Sequence, residues 1–220
     1  VLSCDMEITP EGKRVGYRIY PSVMKSHGRL TYNNVNKVLD PNTHEKLEQK
    51  YTDAAPMLHE MADLHNILYK KRHQRGAIDF EEPEAKIVVD DKGKPTDIVL
   101  HERGTAEKMI ESFMLMANET VAEDYYKKHT PFLYRVHETP DQEKMQSFFE
   151  FVSAFGLNVK ADPSDVKPKD LQKIVAKTEG TPEEAVVQMM MLRSLKQAHY
   201  SPEPLGHFGL AAKYYTHFTS

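Results

Sequence analysis

The chain should fold as an α+β domain, helix-rich, with antiparallel β-hairpins. Short segments near its start and middle alternate apolar and polar residues around turn sequences. Two long segments instead repeat apolar residues at three- and four-residue steps. Clusters of Pro, Gly, Asp and Asn separate these segments, and no stretch repeats.

Leu2, Cys4, Met6 and Ile8 alternate with polar residues, 9–13 is a turn, and Val15, Tyr17, Ile19 and Val23 resume the pattern. Residues 2–23 therefore read as a hairpin with one buried face. A short helix over 31–39 presents Val35, Val38 and Leu39, and Asp40-Pro41-Asn42-Thr43 ends it. A long helix follows from about 45 to 75, because Leu47, Tyr51, Ala54, Leu58, Met61, Leu64 and Leu68 share one face. Pro56 should kink or break it. The basic run 70–75 complements the negative helix end, and Gly76 suits the position just beyond. Residues 77–80 open a second strand region, and 86–89 and 98–100 flank a turn at 90–95 as another hairpin. A helix over 106–128 and a short strand over 133–136 come next. Thr139-Pro140-Asp141-Gln142 has capping-box spacing with Pro at the first helical position, and that helix should end at Gly156. Residues 163–169 are loop, and Thr181-Pro182-Glu183-Glu184 is a second capping box that opens a helix to about Leu195.

The 220 residues fit one large domain or two small ones. With 40% hydrophobic and 28% charged residues, the chain can bury a core beneath a soluble surface. No apolar run approaches the length a bilayer requires, which excludes a membrane span. One cysteine excludes an internal disulfide framework and suits a reducing compartment, so the expected location is cytoplasmic. A net charge of -4 argues against a wholly basic nucleic-acid coat but allows a local basic groove. The chain begins without Met and ends inside a segment dense in Gly, His and aromatics, so it reads as an internal piece of a larger protein.

Eleven histidines invite a metal reading. His59-Glu60 begins a His-Glu-x-x-His pattern, but Asp63 stands where the second histidine belongs and His65 falls two positions late. Satisfied or exposed histidines are the better reading. Cys4 has no cysteine partner, and no Gly-x-x-x-x-Gly-Lys phosphate loop occurs. The basic run 70–75 suits phosphates, although a solvated helix end explains it better. On the helix 106–128, Met109, Ile110, Phe113, Met114, Ala117, Val121 and Tyr125 leave little polar girth, so it should be central. Glu111 and Asn118 share one stripe of it. Either they bind something, because a buried carboxylate and amide are otherwise costly, or the stripe faces water. Phe80, set among Asp79 and Glu81-Glu82-Pro83, is either an exposed ring for stacking on bases or a strand-end core residue, with the core favoured on sequence alone. Tyr32, ahead of Asn33-Asn34, is ambiguous in the same way.

Several motifs, in order, carry a family resemblance. They are Arg75-Gly76-Ala77-Ile78-Asp79-Phe80, Phe113-Met114-Leu115-Met116-Ala117-Asn118-Glu119 and Pro131-Phe132-Leu133-Tyr134-Arg135-Val136-His137-Glu138. Gln197-Ala198-His199-Tyr200-Ser201, His207-Phe208-Gly209-Leu210-Ala211 and Tyr215-Thr216-His217-Phe218-Thr219-Ser220 complete the set. Together they resemble the catalytic domain of the ribonuclease II/ribonuclease R (RNB) exoribonucleases across essentially the whole chain. The last motif has the wording of the ribonuclease R branch.

The resemblance implies a processive, magnesium-dependent 3′-to-5′ hydrolase that degrades single-stranded RNA to nucleoside 5′-monophosphates by two-metal chemistry. It makes residues 1–220 the C-terminal portion of the catalytic domain. The family's metal-binding aspartates lie earlier in that domain, and Asp5 belongs to a different motif. A catalytic arginine follows position 220, and OB-type RNA-binding domains flank the whole. No catalytic or metal residue is therefore assigned here. Magnesium belongs to the full-length enzyme, none is expected on this portion, and the isolated chain should be inactive. RNA handling carries over residue by residue. Phe80 matches an aromatic that stacks on the last bases, Tyr32 a tyrosine near the terminal nucleotide, and Glu111 an acidic residue linked to preferring RNA over DNA. The expected partner is single-stranded RNA, with self-association through surfaces uncovered at residues 2–8 and at Tyr214, Tyr215 and Phe218. A catalytically dead RNA-binding module on the same scaffold is the alternative, and a purely structural helical domain is a third.

Overall fold

The computed structural model describes residues 1–43, 46–79, 84–101 and 103–219. The order is β1 (Leu2–Ile8), β2 (Arg14–Pro21), α1 (Tyr32–Leu39), α2 (Gln49–Arg75), β3 (Glu84–Val89), β4 (Pro95–His101), α3 (Thr105–Lys127), β5 (Tyr134–Val136), α4 (Gln142–Ser153), α5 (Pro168–Thr178), α6 (Glu184–Ser194) and β6 (His199–Ser201). Among the described residues the strands form three two-stranded antiparallel sheets, β1–β2, β3–β4 and β5–β6. The α+β class with hairpins is as expected. The chain divides into two compact units, one of Val1–Ser22, Ile67–Asp79 and Met114–Ser220, the other of Val23–Asn66 and Phe80–Phe113. Helices α2 and α3 each contribute a length to both.

In the first unit the β1–β2 hairpin pairs from Leu2 with Pro21 to Ile8 with Arg14. Strand β2 ends at Pro21, short of the expected Val23, and Ser22 N–H donates to the Val1 carbonyl at 2.9 Å. The hairpin is only half-buried rather than sealed on one face. Its anchors are polar: Arg14 bonds Thr120 and Glu123 of α3, and the Tyr17 hydroxyl donates to Asp124 at 3.0 Å. From Met114 to Tyr125, α3 has no exposed position, as its apolar girth requires.

Helix α2 ends in a paired-bond cap. Ala77 N–H donates to the Arg72 carbonyl and Gly76 N–H to the His73 carbonyl. Gly76 has φ 105, which favours glycine there. Residues 77–79 do not form the expected strand. Ile78 N–H makes one bond, to the Gly209 carbonyl at 2.8 Å, and no ladder. Phe80 lies outside the described residues.

Helices α4, α5 and α6 pack together over Met145, Phe148, Val152, Leu171, Val187 and Met191, all fully buried. Each such side chain contributes about 1.5–3 kcal/mol. Asp141, not Thr139, caps α4, its carboxylate accepting from Glu143 and Lys144 N–H. An aspartate two residues further on supplies a stronger acceptor than the threonine hydroxyl. The second expected capping box also fails to form. The Thr181 hydroxyl donates to the Thr178 carbonyl, and Glu184 accepts from Gly180 N–H. Helix α5 was not expected at all. Pro168 opens it and Asp170 accepts from Lys167 N–H, so Leu171 and Ile174 turn into the core. Strand β6, also unexpected, pairs with β5.

The C-terminal segment lies against β5. Arg135 N–H donates to the Tyr215 carbonyl, Phe208 N–H to the His137 carbonyl, and the Thr216 hydroxyl to the Leu133 carbonyl. Two imidazoles hold the bend: His137 Nδ1 accepts from Gly209 N–H at 3.2 Å, and His207 Nδ1 from Leu210 N–H at 3.3 Å. Their rings meet edge to face at 5.1 Å. Burial, then the charges of His137 and Arg135, push His207 down to about 4. Burial also lowers His137, opposed by the Lys196 backbone.

In the second unit, Val35 of α1, Tyr51 and Leu58 of α2, and Ala106 and Met109 of α3 form the core, with Leu47, Ala54 and Met61 against it. Pro56 does not break α2. It removes the bond to the Thr52 carbonyl, but both residues are exposed, so water replaces the lost donor. The α2 start at Gln49 is later than the expected 45, and 44–45 lie outside the described residues. The β3–β4 hairpin exposes Ile87, Val89, Ile98 and Leu100. The start of α3 is capped from α1: Asn36 Oδ1 accepts from Ala106 N–H at 2.8 Å, and its Nδ2 donates to Glu107 at 2.9 Å.

This cap depends on Gly104. A Cβ there would meet the Asn36 amide at 2.3 to 2.6 Å. Gly104→Ala should therefore destabilise the fold by about 1–3 kcal/mol, as overpacking does. The urea midpoint measures this, and an unchanged midpoint would show that Asn36 moves aside without loss.

The buried imidazoles set a second expectation. In the unfolded chain both titrate near 6.5 (about the reference value), whereas folding holds them neutral. Their contribution is complete above about pH 6.5 and is lost as the pH falls toward 4, where folded His207 also protonates. His207 alone should remove up to about 3 kcal/mol across that window. His207→Asn keeps a side-chain acceptor near Leu210 N–H but does not titrate, so its melting temperature should depend less on pH between 7 and 4.5. An unaltered profile would locate the acid sensitivity elsewhere.

Candidate nucleic-acid interface

Tyr32 is the first residue of α1. Its neighbour Thr31 is extended and makes no side-chain cap of its own. The buried Tyr51 hydroxyl takes over that task, accepting from Thr31 N–H at 3.2 Å and bonding the Thr31 hydroxyl at 3.3 Å. The helix start is thus fixed from α2, and the Tyr32 ring remains 49% exposed. That is an aromatic surface on a rigid support, the arrangement that stacking on a base requires.

Glu111 stands two turns into α3 and is partly exposed. Arg103, just before the helix, bonds its carboxylate directly. Arg103 also lines an open cleft of about 420 Å³ with Asn36, Lys37, Asp40, Thr43 and Gly104. A carboxylate oriented by a guanidinium, beside a polar cleft, can accept a hydrogen bond from a ligand hydroxyl while the cation offsets repulsion of a phosphate. Tyr32 and Glu111 belong to the same compact unit. Neither Arg103 nor Asn36 was singled out from sequence. Arg103-Gly104 at a helix start was the available hint, whereas Asn36 acts across 70 residues and leaves no local signal.

The other half of the expected stripe has a different task. Asn118 is buried, at 3% exposure, in the other unit. Its Oδ1 accepts from Phe218 N–H and Thr219 N–H, each at 2.9 Å, and from the Thr219 hydroxyl at 3.1 Å. Its Nδ2 donates to the Tyr215 hydroxyl at 3.1 Å. What Asn118 binds is the chain's own C-terminal segment.

The remaining candidates are structural. His65 Nδ1 bonds the Ser112 hydroxyl at 2.8 Å, both buried. Burial pushes the Cys4 thiol up, with Asp5 and Asp124 adding and Arg14 opposing, which disfavours a thiolate nucleophile. Apart from buried Arg72 the basic run is exposed, as expected of a solvated helix end, and three of its cations have partners within the chain. Lys71 donates to the Gly12 carbonyl, Arg72 faces Asp79 at 3.6 Å, and Arg75 grips both carboxylate oxygens of Glu119 at 2.8 and 2.7 Å.

A hydrolase of the resembled kind requires metal carboxylates. Among the described residues no three His, Cys, Asp or Glu side chains converge to hold an ion. The residues present do not fit that group, and no hydrolytic step is derived from them. Among the described residues, no helix is long and apolar enough to cross a membrane.

Comparison with known proteins gives a consistent result. The chain is 45% identical over 218 residues to Ribonuclease R 1 of Lactococcus lactis, covering 99% of this chain and 26% of that protein. It is 44% identical over 218 residues to Ribonuclease R of Aquifex aeolicus, covering 98% and 30%. It therefore spans between a quarter and a third of the length of these curated relatives. Its structure matches that of Mycoplasma genitalium RNase R in complex with ribose methylated single-stranded RNA, with TM-score 0.90 and 30% identity, covering 100% of this chain and 34% of that one. The RNB domain matches residues 1–220 throughout. By that match the chain belongs to the RNB domain family.

Proposed function

We propose that this chain is the C-terminal, RNA-contacting portion of the catalytic domain of a processive 3′-to-5′ exoribonuclease, one that hydrolyses single-stranded RNA to nucleoside 5′-monophosphates. The observation that carries the reading is the RNB match over residues 1–220, with relatives named Ribonuclease R. On this reading the metal is magnesium, held by carboxylates elsewhere in the full-length protein. The residues of this chain bind and orient RNA. Tyr32 contacts the terminal nucleotide, Phe80 stacks on the last bases, and Glu111, oriented by Arg103, accepts a hydrogen bond from a 2′-hydroxyl. The Glu111–Arg103 contact supports the last role because it fixes the carboxylate beside a polar cleft.

With magnesium added, the isolated 220-residue chain should not hydrolyse RNA. Two-metal hydrolysis needs several fixed carboxylates, and positioning alone does not replace them. Processive release of monophosphates from a single-stranded oligomer by the pure chain would contradict the assignment of the metal centre to other segments.

In the full-length enzyme, Glu111→Ala should narrow the gap between RNA and DNA. A charge-assisted hydrogen bond contributes about 1.5–3 kcal/mol. RNA affinity should thus fall by one to two powers of ten on that scale, while DNA, which lacks the 2′-hydroxyl, is nearly unaffected. A carboxylate that merely repels phosphates would give the opposite sign, a slight improvement for both polymers. Titrating both polymers against wild type and variant decides between them, and equal changes would rule out the 2′-hydroxyl role.

A further inference from the structure

Strands β5 and β6 set Arg135 directly opposite Tyr200, so the two side chains share one face of the ladder. The guanidinium carbon lies 4.9 Å from the centre of the Tyr200 ring. That ring is 49% exposed. Its hydroxyl bonds His217 Nδ1 at 3.0 Å, and the two rings meet edge to face at 6.0 Å. His217 is exposed and rests in turn edge-on against Tyr215 at 5.7 Å, with Tyr215 fixed by Asn118. The cluster is surface chemistry on a rigid base.

Several of the chain's other arginines are paired with acids. Arg14, Arg18, Arg72, Arg75 and Arg103 each face a carboxylate. Among the described residues Arg135 faces none, although it is partly buried. A half-buried guanidinium with no counter-charge attracts an anion, and its fork of donors suits two oxygens of a phosphate. In the tautomer that accepts from the Tyr200 hydroxyl at Nδ1, the His217 Nε2–H is a second donor at the same surface. The exposed phenol ring offers a face to a base. Cation, ring and neighbouring donor match one nucleotide unit of a single strand.

We propose that Arg135, Tyr200 and His217 form a phosphodiester subsite for single-stranded RNA, with Arg135 on the phosphate and Tyr200 against a base. The proposal rests on the RNA-binding reading above but uses none of Tyr32, Phe80 or Glu111. The subsite reads the backbone and a ring face, so it does not distinguish RNA from DNA.

The test uses the full-length protein with its metal chelated, titrated with a labelled single-stranded oligoribonucleotide and its DNA counterpart across a salt series. Arg135→Gln should flatten the slope of log affinity against log salt by about 0.7, the loss of one phosphate contact on a single strand. Arg135→Lys should keep the slope. Tyr200→Ala should weaken both polymers by roughly tenfold, the scale of one lost base stack. These shifts should be equal for RNA and DNA, unlike those of Glu111→Ala. A purely architectural role would lower the melting temperature of the variants and leave the salt slope at the wild-type value, which would overturn the subsite. Wild type that binds neither polymer would overturn the RNA-binding reading and the subsite together. Wild type that binds, with an unchanged slope and affinity in both Arg135→Gln and Tyr200→Ala, would overturn the subsite alone.

Discussion

Asn118 carries one side-chain amide, buried on a helix that is mostly apolar around it, and every side-chain partner it has lies 97 to 101 residues further along. A buried amide without partners is destabilising by about 1–3 kcal/mol. The C-terminal segment removes that penalty by presenting two backbone N–H groups and two hydroxyls in one place. It can do so only if Tyr215, Phe218 and Thr219 are held at fixed distances from α3. Most of the rest of the first unit follows from this constraint. Tyr215 delivers its carbonyl to Arg135 N–H, Thr216 reaches the Leu133 carbonyl, and the segment ahead of it bends between His137 and His207. The segment is thus bonded to a helix on one side and a strand on the other.

The same logic governs the start of α3 in the second unit, with a different asparagine. Asn36 satisfies Ala106 N–H, one of the donors a helix start leaves open, and bonds Glu107 as well. Its approach leaves no room for a side chain at position 104, so a glycine precedes the helix. Arg103 comes immediately before that glycine and reaches Glu111 two turns on. The Arg103–Glu111 contact therefore depends on a cap supplied from another helix. In both units a side-chain amide, buried for Asn118 and partly buried for Asn36, fixes the chain around it.

Sequence periodicity made the larger elements legible. The β1–β2 and β3–β4 hairpins, the apolar face of α2, the central position of α3 and the glycine end of α2 all follow from local pattern. What it missed was set by competition between nearby polar groups, or by distance. Asp141 displaced Thr139 as a cap, and Thr181 turned its hydroxyl back to Thr178, because either choice has the same local spacing. Helix α5 escaped because 11 residues with Lys at several positions give a weak apolar stripe until Leu171 and Ile174 meet α6. The stripe of Glu111 and Asn118 was seen, but not its division: one partner is Arg103, eight residues away, and the other is the far end of the chain. No periodicity encodes that difference.

Electrostatics offers the remaining link between fold and ligand. A chain with net charge -4 that meets a polyanion must keep its carboxylates from dominating the surface field. Along α3 each has a partner in the chain, and most of these partners are cations. Glu107 bonds Asn36, Glu111 bonds Arg103, and Glu119 bonds Arg75. Glu123 bonds Arg14 and Lys127, and Asp124 bonds Lys128 and the Tyr17 hydroxyl. A carboxylate paired with a cation presents a dipole, whose field falls off faster than that of a lone charge and is further screened beyond about 8–10 Å at physiological salt. The anionic field of the helix is thereby largely confined to contact range. Arg135 is the complementary case. Among the described residues no carboxylate faces its charge, its guanidinium carbon lies 4.9 Å from the centre of the Tyr200 ring, and the attraction it retains is available to a ligand.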